Sequence, residues 1–198
     1  MPILRSSPAS PYARKCRIVA ALLGLADRIG VEGAVLSDPN DSIRVQNPLG
    51  KIPALVLDDG SALYDSRVIV DYLDWLAGGG RAIPLDPKAR FEALRLQALG
   101  DGICDAALLI RYELANRPPE LRHAETIAWQ QSKIDRALAA LEAAPPAGEL
   151  HVGAVAVACA LGYLDLRFEG AWRPGHPRLA AWLDDFSRRT PAFEATRA

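Results

Sequence analysis

The first third of the chain alternates short apolar runs with stretches whose apolar residues recur at helical spacing. Short runs bounded by turn residues predict strands, and a recurrence near 3.6 residues predicts helices. The pattern predicts strands over residues 2–5 and 29–36, a helix over residues 11–23, a hairpin of residues 54–57 with 62–64, and a helix over residues 66–77. We therefore expect a small α/β unit in residues 1–77.

Turn and cap residues mark the boundaries of these elements. Asp59-Gly60 separates the two strands of the hairpin, and this dipeptide tolerates the positive φ of a tight turn. Pro11 suits the first position of the first helix, because that position needs no backbone N–H. Gly24 is then the expected stop of the same helix.

Beyond residue 87 only helical patterns remain. They predict helices over residues 88–116, 127–141, 152–168, 177–188 and 191–196. The segment 152–168 is apolar on nearly all sides, which indicates a helix buried inside a bundle. Three glycines and "IPLDP" predict a flexible linker over residues 78–87, so that residues 88–198 form an all-helical C-terminal domain.

The composition is that of a globular protein and excludes several classes. Half of the 198 residues are apolar and 24% are charged, which suffices for a core without a disulfide or metal. The formal net charge of −1 leaves no electrostatic footprint for nucleic acid or an anionic membrane. No export signal opens the chain, and the longest apolar run, residues 152–164, is too short to span a bilayer. We expect a cytoplasmic protein with no nucleic-acid or membrane partner.

Cysteine and histidine offer no familiar site. Cys16, Cys104 and Cys159 lie far apart without a C-x-x-C pair, which is poor material for a disulfide framework and fits a reducing compartment. Cys16 follows Ser10 on another face of the first helix, so we expect it to be a small buried hydrophobe. The three histidines are isolated in the sequence, and no metal site is expected.

Hydroxyl side chains precede the first helix in the segment "SSPASPY", residues 6–12. Ser10 directly precedes Pro11 and is the natural N-cap, whose hydroxyl accepts a backbone N–H. A helix N-terminus also carries about half a positive charge and free N–H groups, which favour an anion such as a thiolate. Both roles are open for Ser10, and Asp65-Ser66 presents the same choice before the next helix.

Taken in order, these segments resemble the glutathione S-transferase family. The shared features are a first helix opening S-P-[YF]-x-x-[KR], the loop "NPLGKIPAL" at residues 47–55, and Asp65-Ser66 twelve residues after Pro53. The run "ACALGYLDLRF" at residues 158–168 is similar to bacterial members. The resemblance covers nearly the whole chain. It implies the glutathione S-transferase fold, with a thioredoxin-like N-terminal domain, an all-α C-terminal domain and a homodimer.

The resemblance also implies a catalytic residue. Ser10 would hydrogen-bond the sulfur of glutathione and favour its thiolate, with Ser6 and Ser7 as the nearby alternatives. No cysteine stands at positions 7–13, which argues against the cysteine-dependent branch of the family that forms mixed disulfides.

Five further residues would hold the remainder of the tripeptide. Pro53 would be cis, and the backbone of Ile52 before it would pair with the cysteinyl unit. Asp65 and Ser66 would receive the γ-glutamyl group, with Asp65 in the place of the family's usual Glu. Lys51 would reach the glycyl carboxylate.

The implied activity is that of a detoxifying glutathione transferase, with glutathione as co-substrate and no metal. It would add the thiolate to a small hydrophobic electrophile lying against residues 105–112. Two alternatives stay open: a glutathione-dependent isomerase or reductase, and a non-catalytic relative that binds or regulates. The intact segments Lys51-Ile52-Pro53 and Asp65-Ser66 count against the second.

One position departs from the family. The buried helix over residues 152–168 commonly starts with a Ser/Thr-x-x-Asp capping box, and the matching positions here are His151 and Ala154. We therefore expect this helix to lack its N-cap, at a cost of about 1 kcal/mol of local stability.

Overall fold

The computed structural model describes all 198 residues, and the first part of the chain forms a four-stranded mixed sheet. Its strands are β1 (Ile3–Ser6), β2 (Gly30–Gly33), β3 (Ala54–Val56) and β4 (Ala62–Leu63), in the order β2-β1-β3-β4. β1 runs parallel to β2 and antiparallel to β3, and β4 runs antiparallel to β3. The carboxyl ends of β1 and β4 and the amino end of β3 therefore meet at one edge of the sheet.

Helices α1 (Pro11–Leu22) and α3 (Ser66–Leu76) pack against each other and against this sheet. Their apolar stripes belong to one continuous core with the sheet and the C-terminal helices. α1 stops where Gly24 takes a φ of 73°, a conformation that glycine adopts without strain. The hairpin and both helices lie where the apolar pattern predicts them, within one or two residues at each end.

The region after β1 differs from the prediction in two ways. The second strand is shorter than residues 29–36, and an additional short helix, α2 (Ile43–Gln46), follows it. Arg5, a buried residue of β1, explains both: its guanidinium donates to the Gly33 carbonyl at 3.0 Å, to Asp41 at 3.0 Å and to Gln46 at 2.6 Å. The chain leaves the sheet at Gly33 to wrap around this cation.

The C-terminal part contains only helices. They are α4 (Pro87–Asn116), α5 (Ala124–Ala143), α6 (Val152–Phe168), α7 (Pro177–Arg189) and α8 (Pro191–Ala195). Short 3₁₀ turns lie at Ala26–Arg28, Pro119–Leu121 and Arg173–Gly175. α6 is buried along most of its length between α4 and α1. The predicted fold class, an α/β unit followed by an all-helical unit, is confirmed.

α4 and α6 approach each other closely and run parallel at their contact. Gly153 of α6 packs against Ala93 and Leu96 of α4, and one turn or two farther along Gly100 of α4 packs against the backbone of Ala156. A Cβ atom on Gly100 would lie 2.6 Å from the Ala156 carbonyl carbon, well inside van der Waals contact. The small residues are therefore what permits this spacing.

The segment between the two units is anchored by a buried carboxylate. Asp74 of α3 accepts hydrogen bonds from the backbone N–H groups of Gly80, Arg81 and Ala82 at 2.8, 3.0 and 2.6 Å. Three glycines before Arg81 have positive φ, which lets the chain fold back over this side chain. The glycine-rich segment thus serves as a fixed turn.

The predicted absence of an N-cap on α6 is wrong. The Nδ1 atom of His151 accepts hydrogen bonds from the backbone N–H groups of Gly153 and Ala154, at 3.1 and 3.3 Å. A neutral imidazole has one acceptor nitrogen, and here that nitrogen accepts the backbone hydrogen bonds that a serine or aspartate oxygen accepts at other N-caps. Burial lowers the pKa of His151, which favours the neutral form that the cap requires.

None of the helices combines the length and the apolar character needed to cross a bilayer.

Candidate functional site

The three segments that the sequence predicts to bind a ligand meet at one edge of the sheet. The loop after β1 carries Ser10, the loop before β3 carries Lys51 to Pro53, and the turn after β4 carries Asp65-Ser66. The antiparallel registers Arg5 with Ala54 and Leu55 with Leu63 bring these three loops side by side. A ligand lying along this edge can touch all of them at once.

Ser10 is the N-cap of α1. Its backbone is extended, and its Oγ accepts the backbone N–H of Ala13 at 3.2 Å. The capping prediction is therefore confirmed, and it leaves the hydroxyl proton of Ser10 free to donate to a second acceptor. No acidic side chain lies in the first turn of α1, so the positive end of the helix is not already neutralised. Of the nearby alternatives, Ser6 is buried within β1.

The loop before β3 is held by Asn47, a buried side chain. Its Nδ2 donates to the Lys51 carbonyl at 2.8 Å and its Oδ1 accepts the Leu49 N–H at 3.0 Å. The Ile52–Pro53 peptide bond is cis, as the resemblance implies. Neither the N–H nor the carbonyl of Ile52 has a hydrogen-bond partner within the chain. This half-buried residue therefore presents one free donor and one free acceptor to a peptide ligand.

Asp65 and Ser66 form the start of α3. Asp65 is the N-cap and accepts the Arg67 N–H through Oδ1 at 2.9 Å, which leaves its second carboxylate oxygen exposed. Ser66 is the first residue of the helix and is buried. The Tyr64–Asp65 peptide bond is also cis. An exposed carboxylate oxygen and a helix N-terminus at one place suit a ligand that carries both an ammonium and a carboxylate.

A buried ion cluster ties the helices of the site together. The Lys15 ammonium of α1 donates to both oxygens of Asp101 on α4, at 2.7 and 2.9 Å, and both side chains are at most 5% exposed. Arg67 of α3 donates to the same carboxylate through Nε at 3.1 Å. One carboxylate of the C-terminal domain thus contacts the helix that follows Ser10 and the helix that follows Asp65.

A second link joins α1 to α4 one turn closer to Ser10. The hydroxyl of Tyr12 donates to the carboxylate of Asp105. Burial, and then this hydrogen bond, raise the pKa of Tyr12 far above its usual range, so the phenol stays protonated. Tyr12 is therefore a fixed donor that holds the start of α1 against the long helix.

A cavity of about 330 Å³ adjoins Ser10. Its walls are the loop at residues 8–11, α6 and the last two helices, with Tyr163, Leu166 and Phe193 among the apolar side chains. It does not reach residues 105–112 of α4, where the sequence places the electrophile. That stretch instead presents Leu109 and Tyr112, each about half exposed, on the outside of α4.

The three cysteines lie in the core and form no disulfide. Burial raises the pKa of the thiols of Cys16 and Cys159 to about 12 and that of Cys104 well above its ordinary value. Cys16 is a small buried residue, as predicted. None of the three is a nucleophile at neutral pH.

The histidines all contact the backbone. His123 accepts the Thr126 N–H through Nδ1 as the cap of α5, His151 caps α6, and His176 lies 2.7 Å from the Trp172 carbonyl. Acidic, histidine and cysteine side chains nowhere cluster in a set of three or more that could hold a metal ion.

Comparison with known proteins gives the family. Two domain models match the chain, the glutathione S-transferase N-terminal domain over residues 4–81 and the C-terminal domain over residues 111–185. The uncharacterised GST-like protein YibF of Escherichia coli K12 is 31% identical over 194 residues, which covers 94% of this chain and 95% of YibF. The chain belongs to the glutathione S-transferase family. The α/β unit is accordingly the thioredoxin-like domain that the resemblance implies, and the helical unit is the family's C-terminal domain.

Solved glutathione S-transferase structures agree over the full length. A family member from Pseudomonas fluorescens Pf-5 with bound glutathione is 47% identical and superposes with a TM-score of 0.93, covering 100% of this chain and 98% of that one. A second structure from the same organism, with bound S-(propanoic acid)-glutathione, is also 47% identical, with a TM-score of 0.89 and coverage of 100% and 99%.

The sequence did not predict the roles of five residues that organise this candidate site. Asn47 lies within "NPLGKIPAL", so its position beside the predicted site was a usable signal. Lys15 and Tyr12 lie in the first-helix motif, but their partners Asp101 and Asp105 are more than 80 residues away. No local pattern in the sequence identifies those pairs.

Proposed function

We propose that this protein is a glutathione transferase that binds glutathione along the sheet edge and adds its thiolate to an electrophile. The proposal rests on Ile52, beside cis-Pro53, whose backbone N–H and carbonyl have no hydrogen-bond partner within the chain. It lies at the same edge as two helix N-termini, those of α1 and α3. A short peptide with an acidic end and a thiol fits this combination of groups.

In the proposed complex the cysteinyl unit of glutathione pairs with the N–H and carbonyl of Ile52. The free oxygen of Asp65 accepts from the γ-glutamyl ammonium, and the start of α3 at Ser66 receives the γ-glutamyl carboxylate. Lys51 is exposed and forms no ion pair, so its ammonium is available to the glycyl carboxylate. The structure of the relative from P. fluorescens Pf-5 with bound glutathione supports glutathione as the ligand.

The proposed role of Ser10 is to hold the sulfur as a thiolate. A free thiol has a pKa of about 8.5, so little of it is ionised at neutral pH. The partial positive charge of the α1 N-terminus and a hydrogen bond from the Ser10 hydroxyl both favour the charged form and lower that pKa. Capping and thiolate binding are compatible, because the oxygen accepts one hydrogen bond while the proton donates another.

The proposed product is a glutathione S-conjugate. The relative from P. fluorescens that was solved with S-(propanoic acid)-glutathione supports a bound S-conjugate in this chain as well. The burial of all three cysteines gives no support to a cysteine-dependent reductase. A reducing cytoplasm, in which these thiols stay free, is the proposed location, and detoxification of electrophiles is the proposed role.

We further propose a homodimer built on the outer face of α3 and the first half of α4. This face exposes the large side chains of Val68, Trp75 and Phe91. It also contains a groove of about 330 Å³ in which the Nε2 atom of buried Gln97 has no hydrogen-bond partner. Sedimentation of the chain as a 21.4 kDa monomer at micromolar concentration would contradict the proposed homodimer.

The test of the main proposal is the thiol titration of bound glutathione in wild type and Ser10→Ala. Thiolate absorbance in the ultraviolet, recorded against pH, gives the pKa of the bound thiol. Loss of one hydrogen bond worth about 1.4 kcal/mol raises that pKa by about one unit. Turnover with an activated aryl halide should then fall most at neutral pH and recover as the pH rises.

Matched variants complete the experiment. Ser7→Ala in the same loop serves as the control and should titrate like wild type. Asp65→Asn keeps the α3 cap but removes the carboxylate charge, so glutathione affinity should fall about tenfold or more. If the thiol pKa of bound glutathione is unchanged in Ser10→Ala, Ser10 does not hydrogen-bond the sulfur. A wild-type protein with no measurable glutathione affinity would refute the whole proposal.

A further inference from the structure

The guanidinium of Arg14 on α1 is buried without an anionic partner. The residue is 8% exposed, and no carboxylate of the chain forms an ion pair with it. Its Nε atom donates to the Thr196 hydroxyl at 3.3 Å, and its Nη2 atom donates to the Phe193 carbonyl at 2.5 Å. Burial lowers the pKa of Arg14, because the cation loses hydration there. A positive charge is therefore held in the interior by neutral acceptors alone, which is costly unless a counter-charge is supplied.

One nitrogen of this guanidinium is free to bind a ligand. Nη1 has no acceptor within the chain, and it is not sealed from solvent. A Cβ atom on Gly162 of α6 would lie 2.6 Å from Nη1, so the glycine is what leaves room for this nitrogen. The Phe193 ring covers one face of the guanidinium, with its centroid 3.9 Å from Cζ. The N–H donors of Nη1 lie in the guanidinium plane, so a ligand would have to meet them there.

Arg14 lines the cavity of about 330 Å³ that adjoins Ser10, a volume at the lower end of the range for small-molecule sites. The walls also contain the rings of Tyr163 and Phe193 and the side chain of Leu166. The acidic side chains in the walls already have cationic partners: Asp165 and Asp184 pair with Arg173, and Glu194 pairs with Arg197. Arg14 is thus the one cation of the cavity without a carboxylate partner.

The Arg14 side of α1 faces away from the start of α3. The Cys16 Sγ lies 3.9 Å from the Ser66 carbonyl, so the Cys16 side of α1 faces α3. Arg14 precedes Cys16 by two residues, which is about 200° around a helix, and it therefore points in nearly the opposite direction. Of the residues proposed to hold glutathione, Ser10 alone lines the cavity. A ligand of the cavity and a peptide along the sheet edge can therefore be bound at the same time.

We propose that this cavity is a second ligand site, which binds a small aromatic carboxylate through Nη1 of Arg14. A carboxylate supplies the missing counter-charge and matches the in-plane donors of a guanidinium. The two rings in the walls favour an aromatic body. The ligand is bound unchanged, with no bond formed or broken, and the site does not depend on the proposed transferase function.

The test compares two probes of similar shape and different charge. Affinities of the full chain for 2-naphthoate and 2-naphthamide are measured by calorimetry at neutral pH, without glutathione and with saturating glutathione. Wild type should prefer naphthoate by about tenfold or more, and Arg14→Gln should lose that preference. Glutathione should leave the naphthoate affinity unchanged. Arg17→Gln is the control, because Arg17 lies on the same helix, forms no ion pair and does not line the cavity.

A second variant tests the cavity without changing the cation. Leu166 lines the cavity but is 43% exposed, so Leu166→Trp should fill the space while the core stays intact. Naphthoate binding should then be largely lost. Leu114→Trp is the matched control, since Leu114 is 41% exposed on α4 and lies outside the cavity, and this variant should bind naphthoate as wild type does.

Three results would each overturn the second site. They are equal wild-type affinities for the two probes, including no binding of either, a naphthoate affinity that Leu166→Trp leaves intact, and displacement of naphthoate by glutathione. An unaltered preference in a folded Arg14→Gln would overturn the role of Arg14. If circular dichroism shows that Arg14→Gln does not fold, the Leu166→Trp comparison decides. A wild type that binds naphthoate but no glutathione would refute the proposed function and leave this inference standing.

Discussion

Asp101→Asn should destabilise the protein more than any other single change in the ion cluster. The substitution keeps the shape of the side chain but removes the charge that faces Lys15, whose side chain is 1% exposed. Breaking a buried ion pair by removing one partner costs about 3–5 kcal/mol, because the remaining charge is left unpaired and out of water. With a urea m-value of about 2 kcal/mol per M, the unfolding midpoint should fall by roughly 2 M.

Removal of the other partner should cost less. In Lys15→Met the buried Asp101 carboxylate keeps its bond to Arg67, whose side chain is 55% exposed, so the carboxylate remains paired with a solvated cation. We expect a loss of about 1.5–3 kcal/mol, the range of a hydrogen bond to a charged group. The double variant Lys15→Met/Asp101→Leu leaves no buried charge without a partner, because the remaining cation, Arg67, is solvated. It should therefore recover most of the stability of wild type.

The assay is urea unfolding at one protein concentration, followed by circular dichroism and tryptophan fluorescence together. Coincident transitions establish that a single free energy of unfolding describes the change. An equal loss of stability in Lys15→Met and Asp101→Asn would show that Arg67 is not a partner of the carboxylate. A double variant that loses the sum of the two single losses would show that Lys15 and Asp101 act as independent residues.

Two further predictions concern α4 and α6. Gly100→Ala places a Cβ 2.6 Å from the Ala156 backbone and should cost at least about 1–3 kcal/mol in urea unfolding, whereas Gly102→Ala, with open space around it, should stabilise α4 by about 0.5–1 kcal/mol. Equal effects at the two glycines would contradict the close helix contact. His151→Ala should cost about 1 kcal/mol at pH 8. Because the folded-state pKa of His151 is lowered, the stability from this cap is complete above about pH 6.5 and is lost as the pH falls through the folded pKa. Unfolding at pH 8 and pH 5 should therefore show a smaller difference in His151→Ala than in wild type, and an identical difference would rule out the cap.

The elements that were predictable from the sequence are those with strong local patterns. α6 begins and ends at the predicted residues because an apolar run without interruption can only be a buried helix at this length. Ser10 and Pro11 locate the start of α1 in the same way, since capping is a local interaction. The loop "NPLGKIPAL" and Asp65-Ser66 are recognisable from their spacing in the sequence, and the structure brings them to one edge of the sheet.

The features that escaped prediction depend on contacts between distant residues. α2 has four residues and no periodicity of its own, and it exists because buried Arg5 needs acceptors from that segment. Lysine is usually exposed, so the sequence alone predicts Lys15 at the surface. Its burial depends on Asp101, which only tertiary packing brings beside it. The cap of α6 was missed for a different reason: histidine is rarely expected at an N-cap, yet the neutral ring nitrogen accepts as an oxygen does.

The burial of Cys16, Cys104 and Cys159 has a consequence for a protein proposed to work in contact with a thiol pool. Thiol–disulfide exchange requires an accessible thiolate, and these side chains are neither accessible nor ionised. Glutathione disulfide should therefore leave the folded chain unmodified, and a mass spectrum after such exposure should show the unchanged mass. A transferase built in this way would keep working while the ratio of reduced to oxidised glutathione falls, when reactive electrophiles accumulate.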